Sequence, residues 1–96
     1  MDAIQQQVKA NLRRRLEQLL SLDWSDIDAI ARSGVRVDRR RCIIAVLSAD
    51  GYSQEEIGEV FEIHREKVAY HMRELRWACR AENGLHRIIM EIGGFR

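Results

Sequence analysis

The sequence predicts an all-α domain of five or six helices around a central buried helix. Its 96 residues contain no proline, which removes the commonest interruption of a helix. Six glycines divide the chain into segments of helical length, and within most segments apolar residues recur every three or four positions. A chain of this length forms one core, so we expect residues 1–96 to be a single helical domain.

An apolar stripe predicts the first helix, which falls within residues 1–21. The stripe consists of Ile4, Val8, Leu12, Leu16, Leu19 and Leu20. A second, shorter helix is expected to start after Asp23 or Ser25, because either side chain can accept hydrogen bonds from the free amides of a first helical turn. Ser33 and Gly34 then end this second helix.

The third helix is the predicted centre of the core. It starts after Asp38, which can cap it, and opens with the basic residues 39–41. Six consecutive apolar residues, 42–47, follow. In so short a chain such a run indicates a helix buried on most sides. Gly51 ends it, and residues 38–80 are expected to form a trihelical core.

Local signals also predict the fourth and fifth helices. Ser53 and Glu56 have the spacing of a capping box, in which each side chain accepts a hydrogen bond from the other's backbone amide. The fourth helix therefore starts directly after Ser53, and Gly58 is expected to allow a neighbouring helix to approach it closely. After a break at residues 62–64, a fifth helix runs from residue 65 to about residue 80.

The C-terminal segment, residues 85–96, follows the stop signal formed by Asn83 and Gly84. Its apolar residues share one helical face, which favours a helix over the alternative of a strand. Those residues are Leu85, Ile88, Ile89 and Ile92. The last four residues, 93–96, are expected to be a frayed end.

Residues 52–72 have the pattern of a helix-turn-helix. That motif needs a short first helix, a turn of three to four residues and a second helix whose N-terminal half can project into a major groove. The fourth helix, the break and the fifth helix meet these requirements. The small core of the corner is predicted to consist of Ile57, Phe61, Ile63, Val68 and Met72.

Two stretches of this segment, Ser-Gln-Glu-Glu-Ile-Gly-Glu-Val-Phe and Ile-His-Arg-Glu-Lys-Val, resemble region four of bacterial sigma factors and the related helix-turn-helix regulators. The basic helix ahead of them and the spacing of Val68, Met72 and Leu75 are also similar to the C-terminal DNA-binding domain of the bacterial replication initiator, a relative of the Trp repressor fold. The resemblance covers about residues 38–80. The chain is too short to be a complete sigma factor.

The resemblance implies that Arg65 and Glu66 open a recognition helix and face bases, with Tyr70 one turn further along the same face. Arginine can donate two hydrogen bonds to guanine, and glutamate can accept one from cytosine. Two positions depart from the sigma pattern. His64 stands where serine or threonine more often caps the helix, and Ala69 stands where a longer polar side chain is common.

Charge is distributed unevenly along the chain, although 16 basic residues nearly balance 15 acidic ones. Residues 50–62 contain five acids and no base, which gives −5, whereas residues 65–80 contain five bases and two acids, which gives +3. A second basic cluster, Arg36 with residues 39–41, could grip phosphates; the alternative is a solvated helix start. The small net charge therefore does not exclude a nucleic-acid partner.

Sequence-specific binding of double-stranded DNA is the predicted function, in a small bacterial or phage transcription regulator. The alternatives are a replication-related DNA binder and a helical protein–protein interaction module that uses the acidic fourth helix. We also expect a homodimer, formed through the first helix or through residues 85–92, because symmetric operators are bound by dimers. The predicted DNA contacts are His64, Arg65, Glu66, Lys67, Ala69, Tyr70, Arg73, Arg39, Arg40 and Arg41.

No catalytic activity, metal centre, cofactor or small-molecule ligand is predicted, because no nucleophile lies beside a base in a recognisable pattern. Trp24 and Trp77 are expected in the core or at an interface. No apolar run approaches the roughly 20 residues that cross a bilayer, so the expected location is cytoplasmic, at the nucleoid, without a membrane. Metal-ligand spacing is missing among Cys42, Cys79, His64, His71 and His86.

Overall fold

A computed structural model describes residues 2–95 and confirms the all-α fold class. This part of the chain contains six helices and no strand. Met1 and Arg96 lie outside the described residues. The helices are α1 (Ala3–Leu20), α2 (Ser25–Arg32), α3 (Arg39–Ala49), α4 (Gln54–Phe61), α5 (Arg65–Ala81) and α6 (Leu85–Ile92).

Helix α3 is the central element, as its apolar run predicts. All six residues from Cys42 to Leu47 are buried, and α3 packs against α1, α4, α5 and α6. A helix surrounded in this way presents apolar side chains in every direction, which is why its sequence lacks an amphipathic period. The charged residues of α3 are the three arginines at its N-terminal end, of which Arg39 and Arg40 are exposed, so the basic start of the helix remains at the surface.

The starts of α3 and α4 were predicted correctly from their capping residues. Asp38 Oδ1 accepts a hydrogen bond from the Arg41 amide at 2.8 Å. In the capping box, Ser53 Oγ accepts from the Glu56 amide at 3.0 Å and Glu56 Oε1 accepts from the Ser53 amide at 2.7 Å. Helix α2 begins at Ser25, and Asp23 Oδ1 accepts from the Ser25 amide at 2.9 Å, but the N-cap residue is Trp24, which makes no side-chain cap hydrogen bond.

Helices α4 and α5 are joined by the three residues 62–64. Glu62 ends α4 in the left-handed region, at φ 58°, and the Ile63 amide then donates to the Gly58 carbonyl at 2.9 Å. An added Cβ on Gly58 would lie 2.6 Å from the Ile63 carbonyl oxygen. The closest approach to Gly58 comes from the turn, and the neighbouring helix α5 reaches this glycine with its first residue, since the Arg65 nitrogen would lie 3.4 Å from the same Cβ.

The C-terminal segment is helical, and it is not frayed where the structure describes it. Leu85 and Ile89 of α6 are fully buried. Beyond α6, the Phe95 amide donates to the Met90 carbonyl at 2.8 Å. Gly93 is buried so close to Val46 that a Cβ would lie 2.8 Å from its side chain. The expected frayed end is thus wrong for residues 93–95, because they close over the core.

The middle and last turns of α1 pack against the core. Leu12 and Leu19 are buried, whereas Ile4 is 77% exposed and Leu20 is 60% exposed. Arg15 connects α1 to two other parts of the fold. Its Nε donates to Asp50 Oδ2 at 2.8 Å, and its guanidinium also donates to the Gly93 carbonyl. Only the first turns of α1 extend past the core.

Candidate nucleic-acid interface

The N-terminal turn of α5 presents its predicted contact residues to solvent. Arg65, Glu66 and Lys67 are all exposed. His64 acts as the helix cap in place of serine or threonine, since its Nδ1 accepts a hydrogen bond from the Glu66 amide at 3.2 Å. His64 therefore caps the first turn of α5, and the side chains of Arg65, Glu66 and Lys67 take no part in the cap hydrogen bond.

Further along α5, the outward face continues at helical spacing. Val68 and Leu75 are buried against the core, and Tyr70 and Arg73 follow Glu66 at intervals of four and three residues on the opposite side. Ala69 is half-buried. Because alanine is small, the outward face of α5 is formed by the larger side chains around Ala69.

The start of α3 contacts this part of α5. Arg41 Nε donates to His71 Nδ1 at 3.1 Å, and the Arg41 guanidinium lies 5.6 Å from the centre of the Tyr70 ring. The Lys67 ammonium lies 4.9 Å from the centre of the same ring, which places two cations at cation–π distance from one phenol. Arg40 lies 5.4 Å from the ring centre of Phe61, at the end of α4. We call Arg40, Arg41, Lys67, Tyr70 and His71 the basic corner.

Arg39 does not join the basic corner. Its Nε donates to Asp28 Oδ1 of α2 at 3.0 Å, and this ion pair lowers the pKa of the Asp28 carboxyl. Arg36 contributes its carbonyl, which accepts from the Arg41 guanidinium at 3.1 Å. Of the basic residues grouped by sequence at the start of α3, the structure brings Arg41 to α5, places Arg40 beside the end of α4 and directs Arg39 towards α2.

His71 is a member of the corner that sequence reasoning missed, having considered it only as a metal ligand. Partial burial, and then the positive charges of Arg41, Arg40 and Lys67, lower its pKa. A neutral imidazole can accept the hydrogen bond from Arg41 through Nδ1. The sequence did contain one indication of this role: His71 is four residues after Lys67, so the two side chains are neighbours on the helix surface.

The acids of α4 are engaged mainly with α1 and with their own helix. Glu59 pairs with Lys9, and Asp50, just after α3, pairs with Arg15. Glu56 belongs to the capping box. Between α1 and α4 lies a groove of about 580 Å³, whose apolar lining includes Val8 and Val60.

Both cysteines have a thiol pKa above the ordinary value. Burial raises the pKa of the Cys42 thiol to about 12 and also raises that of Cys79, so both favour the neutral thiol. Among residues 2–95 no cluster of three or more His, Cys, Asp or Glu side chains could hold a metal ion. Within the same range no helix is long and apolar enough to cross a membrane.

Comparisons with known proteins return no match to any family model, curated protein or solved structure. The functional proposal therefore depends on the chain's own residues: the exposed start of α5 and the basic corner beside it.

Proposed function

We propose that this protein binds double-stranded DNA sequence-specifically, with the N-terminal half of α5 in the major groove. The observation that carries the proposal is the contact of Arg41 with both His71 and Tyr70. It joins two basic clusters that are separate in sequence into one surface, next to exposed side chains that can read base edges.

The two parts of this surface have different roles. Arg65 and Glu66 are exposed at the first turn of α5 and are the proposed base contacts, as the resemblance to sigma region four implies. Arg40, Arg41 and Lys67 are the proposed phosphate contacts, which fix the position of the helix on the duplex without reading sequence. Their ring contacts hold the cations close to the protein surface and reduce the side-chain freedom that DNA binding would remove.

The proposed role is that of a small transcription regulator of bacterial or phage type that acts by occupying its site. A replication-related DNA binder would use the same surface. In either case the expected location is the cytoplasm, at the nucleoid. A homodimer formed through the exposed first turns of α1 would present two reading heads to a symmetric site.

Salt dependence tests the proposal directly. The full chain is titrated onto a labelled pool of random duplexes at several salt concentrations, and bound sequences are selected and read. Because phosphate contacts release counterions, affinity should fall steeply as salt rises. An enriched sequence would establish specificity, whereas a lack of affinity even at low salt would exclude duplex binding.

Arg65→Ala tests the orientation of α5. Loss of a base contact should weaken binding by about 1 to 3 kcal/mol and relax the preference at one base pair. Arg14→Ala is the matched control, since Arg14 is exposed on α1, outside the proposed surface. Equal binding by the Arg65 variant and the control would reject this residue as a base contact.

The groove between α1 and α4 supports a second candidate function, as a protein-interaction module. Its apolar lining includes Ile4, which is 77% exposed, and the ion pair of Lys9 with Glu59 also lines it. This candidate predicts that the chain has no affinity for short duplexes at low salt. The salt titration therefore distinguishes the two functions.

A further inference from the structure

The two tryptophans of this chain lie in opposite environments. Trp24 is 1% exposed, and its indole Nε1 donates to the Leu19 carbonyl at 2.8 Å. Trp77, on α5, is 66% exposed. An indole so far out of the core contributes little to folding, and its flat apolar face is available to a partner.

Trp77 belongs to the same outward face of α5 as Glu66, one of the two proposed base contacts. Glu66, Tyr70, Arg73, Trp77 and Arg80 follow one another at intervals of four and three residues. Trp77 is 11 residues after Glu66, which corresponds to about 16 Å along the helix. The major groove is only about 8.5 Å deep. Because the proposed function has α5 entering the groove with its N-terminal end, Trp77 lies outside the groove.

The surroundings of Trp77 are strongly basic. The Arg80 guanidinium lies 5.1 Å from the centre of the indole ring. Arg73 is one turn before Trp77, and Arg76 adjoins it and is exposed. Within residues 73–80 the one acid is Glu74, which is half-buried. A partner for this area must be anionic and must present a flat apolar face.

These requirements exclude a symmetric contact between two copies of the chain at this position, because it would bring two arginine clusters together. They also exclude the interior of a paired duplex, whose base faces are stacked on one another. An unpaired nucleotide meets both, since it carries a phosphate and an open base face.

We propose that Trp77 and Arg80 form a stacking platform for an unpaired base of single-stranded DNA, with Arg73 and Arg76 binding its phosphates. The strand would continue from a duplex held by the N-terminal half of α5, so this inference rests on the proposed DNA-binding function. Stacking of a base on an aromatic ring tolerates any sequence, and an adjacent arginine strengthens it. The preferred ligand is then a junction between double-stranded and single-stranded DNA.

The test compares a blunt duplex with the same duplex carrying an overhang of about six nucleotides, within the site size of known single-strand platforms. The full chain should bind the overhang duplex about tenfold more tightly, and the overhang should quench tryptophan fluorescence. Trp24 is buried, so the quenching reports on Trp77. Trp77→Ala should lose the tenfold gain and the quenching while binding the blunt duplex as before.

Trp77→Phe is the second variant, because it keeps a ring for stacking and leaves Trp24 as the one tryptophan. It should retain part of the affinity gain and show no quenching. Equal affinity for blunt and overhang duplexes would overturn the platform while leaving duplex binding intact. No binding to either DNA would overturn both proposals. A change in Trp77 fluorescence on dilution without DNA would indicate that a second copy covers this face, and would also overturn the platform.

Discussion

Three identical neighbours, Arg39, Arg40 and Arg41, acquire different roles from their surroundings. Arg39 is held by the Asp28 carboxylate, Arg40 lies near the Phe61 ring, and Arg41 bonds to an imidazole. Successive helical residues point about 100° apart, so adjacent side chains meet different elements. Sequence proximity alone therefore could not say which arginines reach the interface.

This division predicts unequal effects of two matched substitutions. Arg41→Ala should weaken duplex binding and lower the slope of log affinity against log salt by about one, as expected for one lost phosphate contact. Arg39→Ala should leave that slope unchanged, because Arg39 is engaged by Asp28. Fluorescence anisotropy at several salt concentrations measures both slopes. Identical slopes in the two variants would contradict the basic corner.

His71 should make folding stability depend on pH. Burial and the nearby cations lower its pKa in the folded chain, whereas the unfolded chain has an ordinary value of about 6.5. The unfolded state then binds the proton more readily, so the stabilisation is complete above about pH 6.5 and is lost as pH falls below it. Thermal unfolding between about pH 7.5 and about pH 5 measures this loss.

His71→Gln should reduce the acid sensitivity that His71 causes. The matched control is His86→Gln, because His86 is exposed on α6, and this variant should retain the wild-type response. If the His71 variant loses stability with falling pH as steeply as the wild type, another group is responsible.

Gly58→Ala reverses the usual preference for alanine within a helix. Alanine at an unconstrained helical position stabilises by about 0.5 to 1 kcal/mol relative to glycine. Here the new methyl group would meet the Ile63 carbonyl, which is backbone and has little freedom to move. We expect a loss of about 1 to 3 kcal/mol in the free energy of unfolding, as for other overpacked sites. Urea unfolding measures the change, and a stabilised variant would contradict the close approach.

At the scale of elements, helix starts were predictable because their causes are local. Asp38 and the pair Ser53 and Glu56 act within three residues of themselves, so a single sequence contains the whole signal. The buried run in α3 was equally clear. The closure of residues 93–95 over Val46 was not predictable, because it depends on contacts between residues far apart in the chain.

The candidate site was likewise predictable where its signals are local and not where they depend on packing between helices. Its α5 residues could be selected from the helix-turn-helix pattern, and the structure finds Arg65, Glu66 and Lys67 exposed. The role of His71 depends on Arg41, 30 residues earlier. No spacing rule connects two helices whose packing is unknown, so this member of the corner required the structure.

Arg15 illustrates an element contact that charge patterning did not reveal. It joins α1 to Asp50 and to the Gly93 carbonyl, and its side chain is only 20% exposed. Arg15→Ala should lower the free energy of unfolding by about 1.5 to 3 kcal/mol, the usual contribution of hydrogen bonds to charged groups. Arg14→Ala, one residue away and exposed, should change it by less than about 0.5 kcal/mol. Urea unfolding of the two variants compares them, and equal losses would contradict the anchoring role.

At the scale of the whole molecule, opposite charges are separated between surfaces. The acids after α3 and on α4 pair with α1 through Asp50 with Arg15 and Glu59 with Lys9. The basic corner lies where α3 and α5 meet. These pairs keep part of the acidic charge beside α1, so the near-zero total does not describe the local charge around the basic corner.

The proposed homodimer is the prediction that belongs to the whole molecule. Most of the apolar stripe of α1 is used within the chain, and Ile4 is the member left most exposed, at 77%. If two copies pair through these first turns, symmetry buries Ile4 twice, and Ile4→Gln should weaken the dimer by about 3 kcal/mol or more, over a hundredfold in Kd. Leu20→Gln is the matched control, because Leu20 is 60% exposed at the other end of α1. Sedimentation of the full chain over a range of concentrations measures both variants, and a monomer mass throughout for the wild type would remove the dimer and leave a single reading head for each DNA site.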